Sequence, residues 1–456
     1  MKTKIIFPLV AALTFSSCHL YQSYEKPDMN VPDSLFRHPV AVNDTTSLAT
    51  ISWQELFTDS LLQQLIKQGL ESNTDLNIAR LKVEEAEAML LSSKLSFVPS
   101  VSLNPQGNVS KVENHSGSSS YNLAVSANWE VDIFGKILNE KRSTEISLQQ
   151  SEAFRQAVQT QLVATIANNY YTLLMLDQQA DIARRTAKSW KESERVMKGL
   201  KKVGLATQIS VAQTEANRLA VEASIISIER QINEMENALA TLIGHPSQQI
   251  PRLSLSVQQF PDTLTTGIPL QMLSNRPDIH QHELELASTF YSTQTARAAF
   301  YPSITLGGNA GWTNAIAGKI LNPRQWLLSA FGSIFQPLFN KGKNIANLKI
   351  SKARQEEALL VFQQSLLDAG EEVNNALIQW QSARKRIILN EQQIQALQSA
   401  LQDSKFMMRY SSSIYLAVLT AQQALLKVEL DAVNDKFNEI QGVINLYHAL
   451  GGGYTI

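Results

Sequence analysis

Few residues of this chain have the types and spacing that chemistry requires. His280 and His282 are the nearest pair of metal-ligating side chains, but in a helix they would point ~200° apart, so two solvated histidines explain them better than a metal site. Met407 and Met408 could suggest a copper path, although adjacent methionines near a helix turn are more typical of packing. The sequence contains no spaced nucleophile triad, Gly-rich phosphate loop or metal-ligand cluster. It therefore predicts a protein that is not an enzyme and holds no metal.

The single cysteine, Cys18, has a position that predicts covalent chemistry. Two early lysines, an apolar run over residues 5–15 and two serines precede it, which is the pattern of a secretory signal. Small residues ending at a cysteine resemble a bacterial lipobox, in which the signal is cut before the cysteine, the thiol is linked to diacylglycerol and the new amine is acylated. An ordinary signal peptide with an incidental cysteine is the alternative. We expect no cofactor except this lipid, and His19, where an aspartate would favour inner-membrane retention, indicates the outer membrane.

The charge balance and hydropathy exclude two classes of protein. Lys plus Arg is 40 and Asp plus Glu is 41, so no net field attracts the chain to nucleic acid. No mature segment holds the ~18 consecutive apolar residues that a membrane-spanning helix needs. If the mature chain crosses a bilayer, it must therefore do so as a closed β-barrel.

The chain repeats itself. The segment 97–103 (Phe-Val-Pro-Ser-Val-Ser-Leu) returns at 300–306 as Phe-Tyr-Pro-Ser-Ile-Thr-Leu, and Gly244 returns as Gly451. We divide the chain into a signal peptide (1–17), a lipid-anchored extended segment (18–58), a first repeat (59–244), an equatorial linker (245–268) and a second repeat (269–456). The two repeats are expected to pack together as halves of one object.

Each repeat is predicted to contain a helix, a β-hairpin, a very long helix and a return helix. The hairpins are placed at about 99–133 and 302–338, where apolar and polar residues alternate in arms of ~10 residues, the length that a tilted strand needs to cross a bilayer. The first long helix is predicted at about 137–201 and its return helix at about 208–242. The second helical turn is placed near 409–413.

A heptad stripe runs along each long helix. In the first it consists of Leu162, Ile166, Asn169, Leu173, Leu176, Ala180, Ala183, Ala187 and Trp190. The same register recurs 207 residues later (369 − 162 = 207) at Ala369, Val373, Ala376, Trp380, Ala383, Ile387, Asn390, Ile394 and Leu397. Strict heptads predict a left-handed seam against other helices. A plain antiparallel bundle is the alternative.

Four strands per chain do not close a barrel around a pore, and an open sheet edge cannot face lipid. Three chains supply twelve strands, and the same symmetry closes the long helices into a second tube. The predicted fold class is mainly α with a membrane β-barrel portion. It is internally duplicated, with a long α-helical barrel of coiled-coil hairpins and a 12-stranded β-barrel shared by a homotrimer.

Six short motifs follow one another along the mature chain: Tyr24-Glu25-Lys26-Pro27, Gly204-Leu205-Ala206-Thr207, Arg276-Pro277-Asp278-Ile279, Phe300-Tyr301-Pro302-Ser303-Ile304, Tyr415-Leu416 before Val418-Leu419, and Asn445-Leu446-Tyr447-His448-Ala449-Leu450-Gly451-Gly452-Gly453. Together they resemble the tunnel-forming outer membrane factors, the TolC-like group, and its lipoprotein subfamily typified by OprM, CusC and NodT. The resemblance covers essentially the whole mature chain.

The resemblance implies an outer membrane channel that is the exit duct of a tripartite efflux pump, a passive conduit for small-molecule or drug export. It implies a homotrimer, lipid-anchored in the outer membrane of a Gram-negative bacterium and extending into the periplasm. Its implied partners are outer-membrane lipid, a periplasmic adaptor (membrane fusion) protein and an inner-membrane transporter. A heavy-metal or type I polypeptide secretion duct of the same fold is the alternative. An adaptor lipoprotein is disfavoured, because such proteins normally carry one helical hairpin and this chain has two.

The turns of the helical hairpins are the predicted periplasmic tip, gate and adaptor contact. The residues assigned to this site are Gly204, Leu205, Ala206 and Thr207 in the first turn and Arg409, Ser411, Ser413 and Tyr415 in the second. Relatives often close the aperture with acidic rings at the positions of Ser413, Ala417 or Thr420, and none of these is acidic here. We therefore expect no aspartate ring. Tyr415 and neighbouring polar groups are predicted to narrow the aperture, with helix packing as the alternative role.

Overall fold

A computed structural model describes residues 22–27, 51–111, 113, 117–258, 260, 276–314, 326–408 and 415–452. Within these residues the chain is mostly helical and has one four-stranded sheet. The helices are α1 (Trp53–Leu56), α2 (Ser60–Ser72), α3 (Thr74–Leu95), α4 (Lys136–Lys202), α5 (Gln208–Leu242), α6 (Pro277–Ala298), α7 (Lys343–Met408) and α8 (Tyr415–Ala449). The strands are β1 (Ser100–Ser110), β2 (Ser118–Val131), β3 (Ser303–Asn314) and β4 (Trp326–Phe335).

The element lengths show the duplication directly. The helices α3 and α6 have 22 residues each, α4 and α7 have 67 and 66, and α5 and α8 have 35 each. The strands lie within the predicted hairpin ranges, and α5 has the predicted bounds. The linker after α5 contains a short 3₁₀ turn at Leu255–Val257, and most of the predicted linker beyond residue 260 lies outside the described residues.

Side-chain caps explain where the first helices begin. The Asp59 carboxylate accepts a hydrogen bond from the backbone N–H of Leu61 at 2.9 Å, which starts α2. Asn73 ends α2 and caps α3, because its Oδ1 accepts from the backbone N–H of Leu76 at 3.0 Å. The helix predicted at the start of the first repeat is thus two helices, and Asn73 is the residue between them.

The glycines at the ends of the return helices also repeat. Gly244 and Gly451 both have positive φ, and the residue after each donates its N–H to a carbonyl five residues back. This 6→1 hydrogen bond is the mark of a Schellman C-cap, in which glycine supplies the left-handed residue. The repeated glycine seen in the sequence is therefore a repeated helix stop.

The two hairpins join into a single antiparallel sheet in the order β1-β2-β3-β4. The central pair, β2 and β3, belongs to different repeats and is held in a register that sets Val125 opposite Ala310. The outer edges of β1 and β4 have no strand partner among the described residues. The sheet of one chain is therefore open at both edges.

The register gives the sheet two chemically different faces. One face is apolar, with residues such as Val101, Leu103, Val125, Leu306, Leu328 and Ile334. The other carries mainly small and polar residues such as Ser102, Asn104, Ser126, Thr305, Asn309 and Ser329. Leu103, Leu328 and Ile334 are largely exposed in the single chain, so the apolar face is uncovered.

Residues cluster into two compact units that differ from the two sequence repeats. The first contains the segment 22–27 and the described residues of Leu81–Ala153 and His280–Gln364, and it includes the sheet. The second contains residues 51–80 and the described residues of Phe154–Ile279 and Ser365–Ile456. Each unit draws on both repeats, so a repeat is a unit of sequence and not a separately packed body.

The core of the second unit is built on the heptad stripes. In α4 the stripe residues Leu162, Ile166, Leu173, Leu176, Ala180, Ala183 and Trp190 are all buried. In α7 the stripe is buried at Ala369, Val373, Ala376, Ala383 and Asn390, whereas Ile387, Ile394 and Leu397 are only half-buried. The predicted stripes are thus the packed faces of both long helices, and the second stripe is less covered toward the end of α7.

Candidate functional site

The first helical turn, residues 203–207, presents apolar side chains to solvent. Gly204 has φ +77, and the backbone N–H of Leu205 donates to the carbonyl of Leu200 at 2.9 Å, so α4 ends in a Schellman motif. Thr207 then caps α5, because its Oγ1 accepts from the backbone N–H of Ser210 at 3.2 Å. Val203, Leu205 and Ile209 are exposed around this turn. These exposed apolar side chains make the turn a candidate surface for contact with another protein.

The second helical turn is described only at its two ends. Arg409, Ser411 and Ser413 lie outside the described residues. Tyr415 begins α8 and is buried, and its hydroxyl lies 2.9 Å from the Oγ1 of Thr214 on α5. Burial also raises the pKa of this phenol. In the single chain Tyr415 is therefore a helix-packing residue, and its predicted role at an aperture stays a prediction.

Four helices meet around Tyr415. Met197 from α4, Val211 from α5, Met408 from α7 and Val418 from α8 form a small buried cluster with the tyrosine ring. The adjacent Met407 is exposed, so the two methionines do not act as a pair. This cluster, which we call the tip cluster, fastens the second helical hairpin to the first.

A second set of contacts between the hairpins consists of polar groups. The Nε2 of Gln422 on α8 donates to the Ser189 Oγ on α4 at 2.9 Å, and the Lys405 Nζ on α7 donates to the same hydroxyl at 3.1 Å. Burial lowers the pKa of the Lys405 ammonium. These contacts were not found in the sequence, because no periodic pattern shows which polar residues of one hairpin face the other.

An ion pair also joins the two helices of the first helical hairpin, α4 and α5. Arg218 on α5 donates to the buried Glu194 on α4 at 2.6 Å and to Glu222 on its own helix at 2.7 Å. The Arg218–Glu194 pair joins the two helices and is largely shielded from solvent, so it fixes their register more strongly than an exposed pair does. The first hairpin thus has an internal clamp, whereas its contacts to Tyr415 and Gln422 are neutral hydrogen bonds.

The motif that begins with Arg276 is a structural clamp. The Arg276 guanidinium is almost fully buried and donates to the Asp278 carboxylate at 2.7 Å, to Glu372 at 2.8 Å and to the carbonyl of Ala449 at 2.8 Å. It therefore links the start of α6 to α7 and to the C-terminal end of α8. A carbonyl at a helix C-terminus is a favourable partner for a cation. The Arg276 and Gly451 motifs therefore meet in the folded chain.

The N-terminal segment 22–27 is docked within the first unit. The Tyr24 ring packs edge-on against Phe290, its backbone N–H donates to the Tyr291 hydroxyl at 3.2 Å, and burial raises the pKa of its phenol to about 12. Lys26 forms a 2.6 Å ion pair with Glu283. Cys18, the predicted lipid attachment site, lies outside the described residues. A lipid on Cys18 would be only a few residues from a firmly attached segment.

The two histidines that the sequence offers as a metal pair belong to no larger cluster of metal ligands among the described residues. His280 is exposed on α6, and His282 is two residues further on the same helix. In the part of the chain that the structure describes, no group of three or more His, Cys, Asp or Glu side chains is arranged to hold a metal ion. In the same part, none of the helices combines the length and the hydropathy of a membrane-spanning segment.

Comparisons with known proteins place the chain in a family. The profile of the family "Outer membrane efflux protein" matches residues 65–245 and 268–452. The cation efflux system protein CusC of Escherichia coli is 27% identical over 460 residues, covering 98% of each chain. The toluene efflux pump outer membrane protein TtgC of Pseudomonas putida is 29% identical over 480 residues, covering 99% of this chain and 96% of that protein.

A solved structure agrees with the fold. The outer-membrane channel OprN superposes with a TM-score of 0.87 at 25% sequence identity, over 95% of this chain and 99% of that one. The expected fold class, mostly helical with four strands per chain, is confirmed, as are the outer-membrane location and the absence of an enzymatic role. The chain belongs to the outer membrane efflux protein family.

Proposed function

We propose that three copies of this outer membrane efflux channel form one exit duct, a passive conduit from the periplasm to the outside. The observation that carries the proposal is the sheet of four strands with two open edges and an uncovered apolar face. Open strand edges cannot face lipid, because their N–H and C=O groups would have no partner there. Pairing β4 of one copy with β1 of the next closes three sheets into a twelve-stranded barrel.

Exposed apolar side chains on the long helices support the same assembly. On α7 they include Leu360, Leu367, Ile388 and Leu389, and on α5 they include Leu219 and Ile226. Soluble proteins rarely leave so many large apolar side chains exposed along their helices. Neighbouring copies in a helical barrel would cover these side chains. The same contacts would cover the stripe residues near the end of α7 that are only half-buried in the single chain.

The periplasmic end of the duct is proposed to bind an adaptor protein and, through it, an inner-membrane transporter. The exposed residues Val203, Leu205 and Ile209 around the Gly204 turn are the surface that this contact would use. The gate is proposed to lie at the second turn, where Tyr415 holds α8 against Thr214 of α5. Release of that contact would let the second hairpin move away from the first.

A lipid on Cys18 is proposed to anchor each copy in the outer membrane. The support is the lipobox-like sequence before Cys18 and the attachment of Tyr24 and Lys26 to the first unit a few residues later. Residues 1–17 would then be absent from the mature chain.

The cargo is proposed to be small molecules. The similar protein TtgC is named for toluene efflux, and CusC is named for cation efflux, so export of metal cations is the second candidate. Among the described residues, no group of three or more His, Cys, Asp or Glu side chains is arranged to hold a cation. The transporter that docks sets the cargo of such a duct, since the same fold can serve several exports.

Two measurements on the purified full-length protein test the assembly. The mass of the detergent-solubilised species should equal three chains, and the same sample should conduct ions when added to a planar lipid bilayer. A heat-denatured sample is the control for leakage caused by detergent. A monomer that does not conduct would overturn the proposal.

A further inference from the structure

The polar face of the sheet carries almost no charge. Of the residues in β1, β2, β3 and β4, Glu130 on this face is the one acidic or basic side chain in the described strands. Its carboxylate is paired with Lys136 at 3.1 Å, so even this charge is balanced next to the sheet. The rest of the face consists of serine, threonine, asparagine, glutamine, glycine and alanine, except on β4.

Strand β4 breaks the pattern. Its residues on the polar face are Leu327, Ser329, Phe331, Ser333 and Phe335, so large apolar side chains alternate with serines on a face that is polar elsewhere. The ladder pairs residues 306 and 332, 308 and 330, and 310 and 328, which places the odd-numbered residues of β4 on the polar side. The apolar side of β4 is already supplied by Trp326, Leu328 and Ile334.

The ring of Phe331 is held in a defined position. It lies across Gly307 on β3, where a Cβ atom would come within 2.3 Å of the ring carbon Cζ. The ring therefore covers Gly307, and a residue with a Cβ atom at this position would clash with it. Phe331 remains 48% exposed in the single chain, which leaves an aromatic surface available for contact.

We propose that Phe331, flanked by Leu327 and Phe335, is a contact site for cargo with apolar or aromatic surface inside the twelve-stranded barrel of the exit duct. This rests on the proposed trimer, in which the polar face lines the lumen and three copies of the ring surround it. Because the described strands of this face are nearly uncharged, they neither attract nor repel an ion strongly. Among the cargo that the docked transporter delivers, Phe331 would therefore retain molecules with aromatic or apolar surface longer than others. The substrate class that fits is a small molecule with an apolar surface, either uncharged or carrying a single charge.

The test is block of single-channel current by two probes of equal charge. Tetraphenylphosphonium offers aromatic surface and tetramethylammonium offers none. In the wild-type channel tetraphenylphosphonium should block more strongly, and Phe331→Ser should raise its apparent dissociation constant by roughly fivefold, the loss expected for aromatic contacts. Block by tetramethylammonium should not change. Phe331→Tyr, which keeps the ring, should retain wild-type block, and Ser329→Ala on the same face is the matched control.

A structural role alone would not reproduce this pattern. If Phe331 only covered Gly307, Phe331→Ser would lower the stability of the trimer and leave the block by both probes unchanged, which overturns the proposal. If Phe331→Ser does not assemble, Phe331→Tyr and Phe331→Ile are compared instead. Weaker tetraphenylphosphonium block in Phe331→Ile than in Phe331→Tyr supports the proposal, and equal block in the two variants overturns it. A wild-type protein that neither trimerises nor conducts would instead refute the proposed duct, so the two failures are distinguishable.

Discussion

Tyr415 and Thr214 offer the sharpest test of how the helical hairpins are held together. Thr214 Oγ1 lies 2.7 Å from the Ser210 carbonyl, which can only accept, so the threonine proton is used there. The Tyr415 hydroxyl must therefore be the donor in the 2.9 Å contact between them. Tyr415→Phe removes this donor and leaves the buried ring and the tip cluster in place.

The size of the effect follows from these contacts. A neutral hydrogen bond contributes about 1 kcal/mol, and Thr214 keeps its own bond to Ser210 after the substitution. A loss of about 1 kcal/mol changes a closed-to-open ratio by about fivefold in one copy. If three copies open together, the loss is about 3 kcal/mol and the ratio changes by about a hundredfold. Tyr415→Ala also removes the buried ring, which costs about 3–5 kcal/mol for a large aromatic.

Single-channel recording in planar bilayers measures the open probability of these variants. We expect it to rise in the order wild type, Tyr415→Phe, Tyr415→Ala. Thr214→Val removes the acceptor, so the double variant with Tyr415→Phe should be no more open than either single variant. Tyr447→Phe is the matched control on the same helix, since that hydroxyl donates to the Ile51 carbonyl and should affect stability alone. An unchanged closed state in Tyr415→Ala would refute the reasoning.

Three further outcomes are expected. Gly204→Ala should destabilise the first hairpin by about 1 kcal/mol, because position 204 has positive φ, but it should cause no clash, since no atom lies within 4 Å of the new Cβ. Gly451→Ala should cost more, because its Cβ would also meet Arg276 at 3.2 Å. Thermal unfolding of the two variants measures the difference. Arg276→Met should cost about 2–3 kcal/mol, since it leaves two half-exposed carboxylates unpaired. Burial would raise the pKa of Asp278, but the Arg276 guanidinium outweighs it and holds the pKa below its ordinary value of 3.8. The stabilisation of the fold by the Asp278–Arg276 pair is therefore present above pH 3.8 and is lost as the pH falls further. The stability of the Arg276→Met variant should lack this loss at acid pH. An equal loss in wild type and variant would contradict the pairing of Asp278 with Arg276. Cys18→Ala should abolish lipid attachment, seen as the unmodified mass of the chain, while the purified trimer still conducts; an unchanged lipid adduct would exclude Cys18 as the attachment site.

The secondary structure was accessible from the sequence because it depends on local periodicity. The heptad stripes from Leu162 and from Ala369 predicted the long helices. The alternation of apolar and polar residues at about 99–133 predicted a hairpin, whose strands the structure places at Ser100–Ser110 and Ser118–Val131. Seam positions such as Ile166 and Val373 are fully buried. Glycine at 204 also marked a helix end, because only that residue adopts the required backbone without strain.

Contacts between distant segments were not accessible in the same way. Tyr415 and Thr214 are 201 residues apart, and the sequence assigned the tyrosine to an aperture without indicating its buried partner. Lys405 and Ser189 lie on helices of different repeats, so no spacing rule relates them. The compact units also cut across the repeats, because packing joins equivalent parts of both copies.

The sequence by itself determined the duplication, the order of helices and strands, the class of protein and the position of the predicted lipid anchor, since each is a property of spacing along the chain. Only the tertiary structure decided which side chains meet: Tyr415 with Thr214, Arg276 with Glu372 and Ala449, and the Phe331 ring across Gly307. The physical reason is that periodicity sets which face of an element is apolar, whereas the pairing of faces depends on how all the helices and strands pack at once.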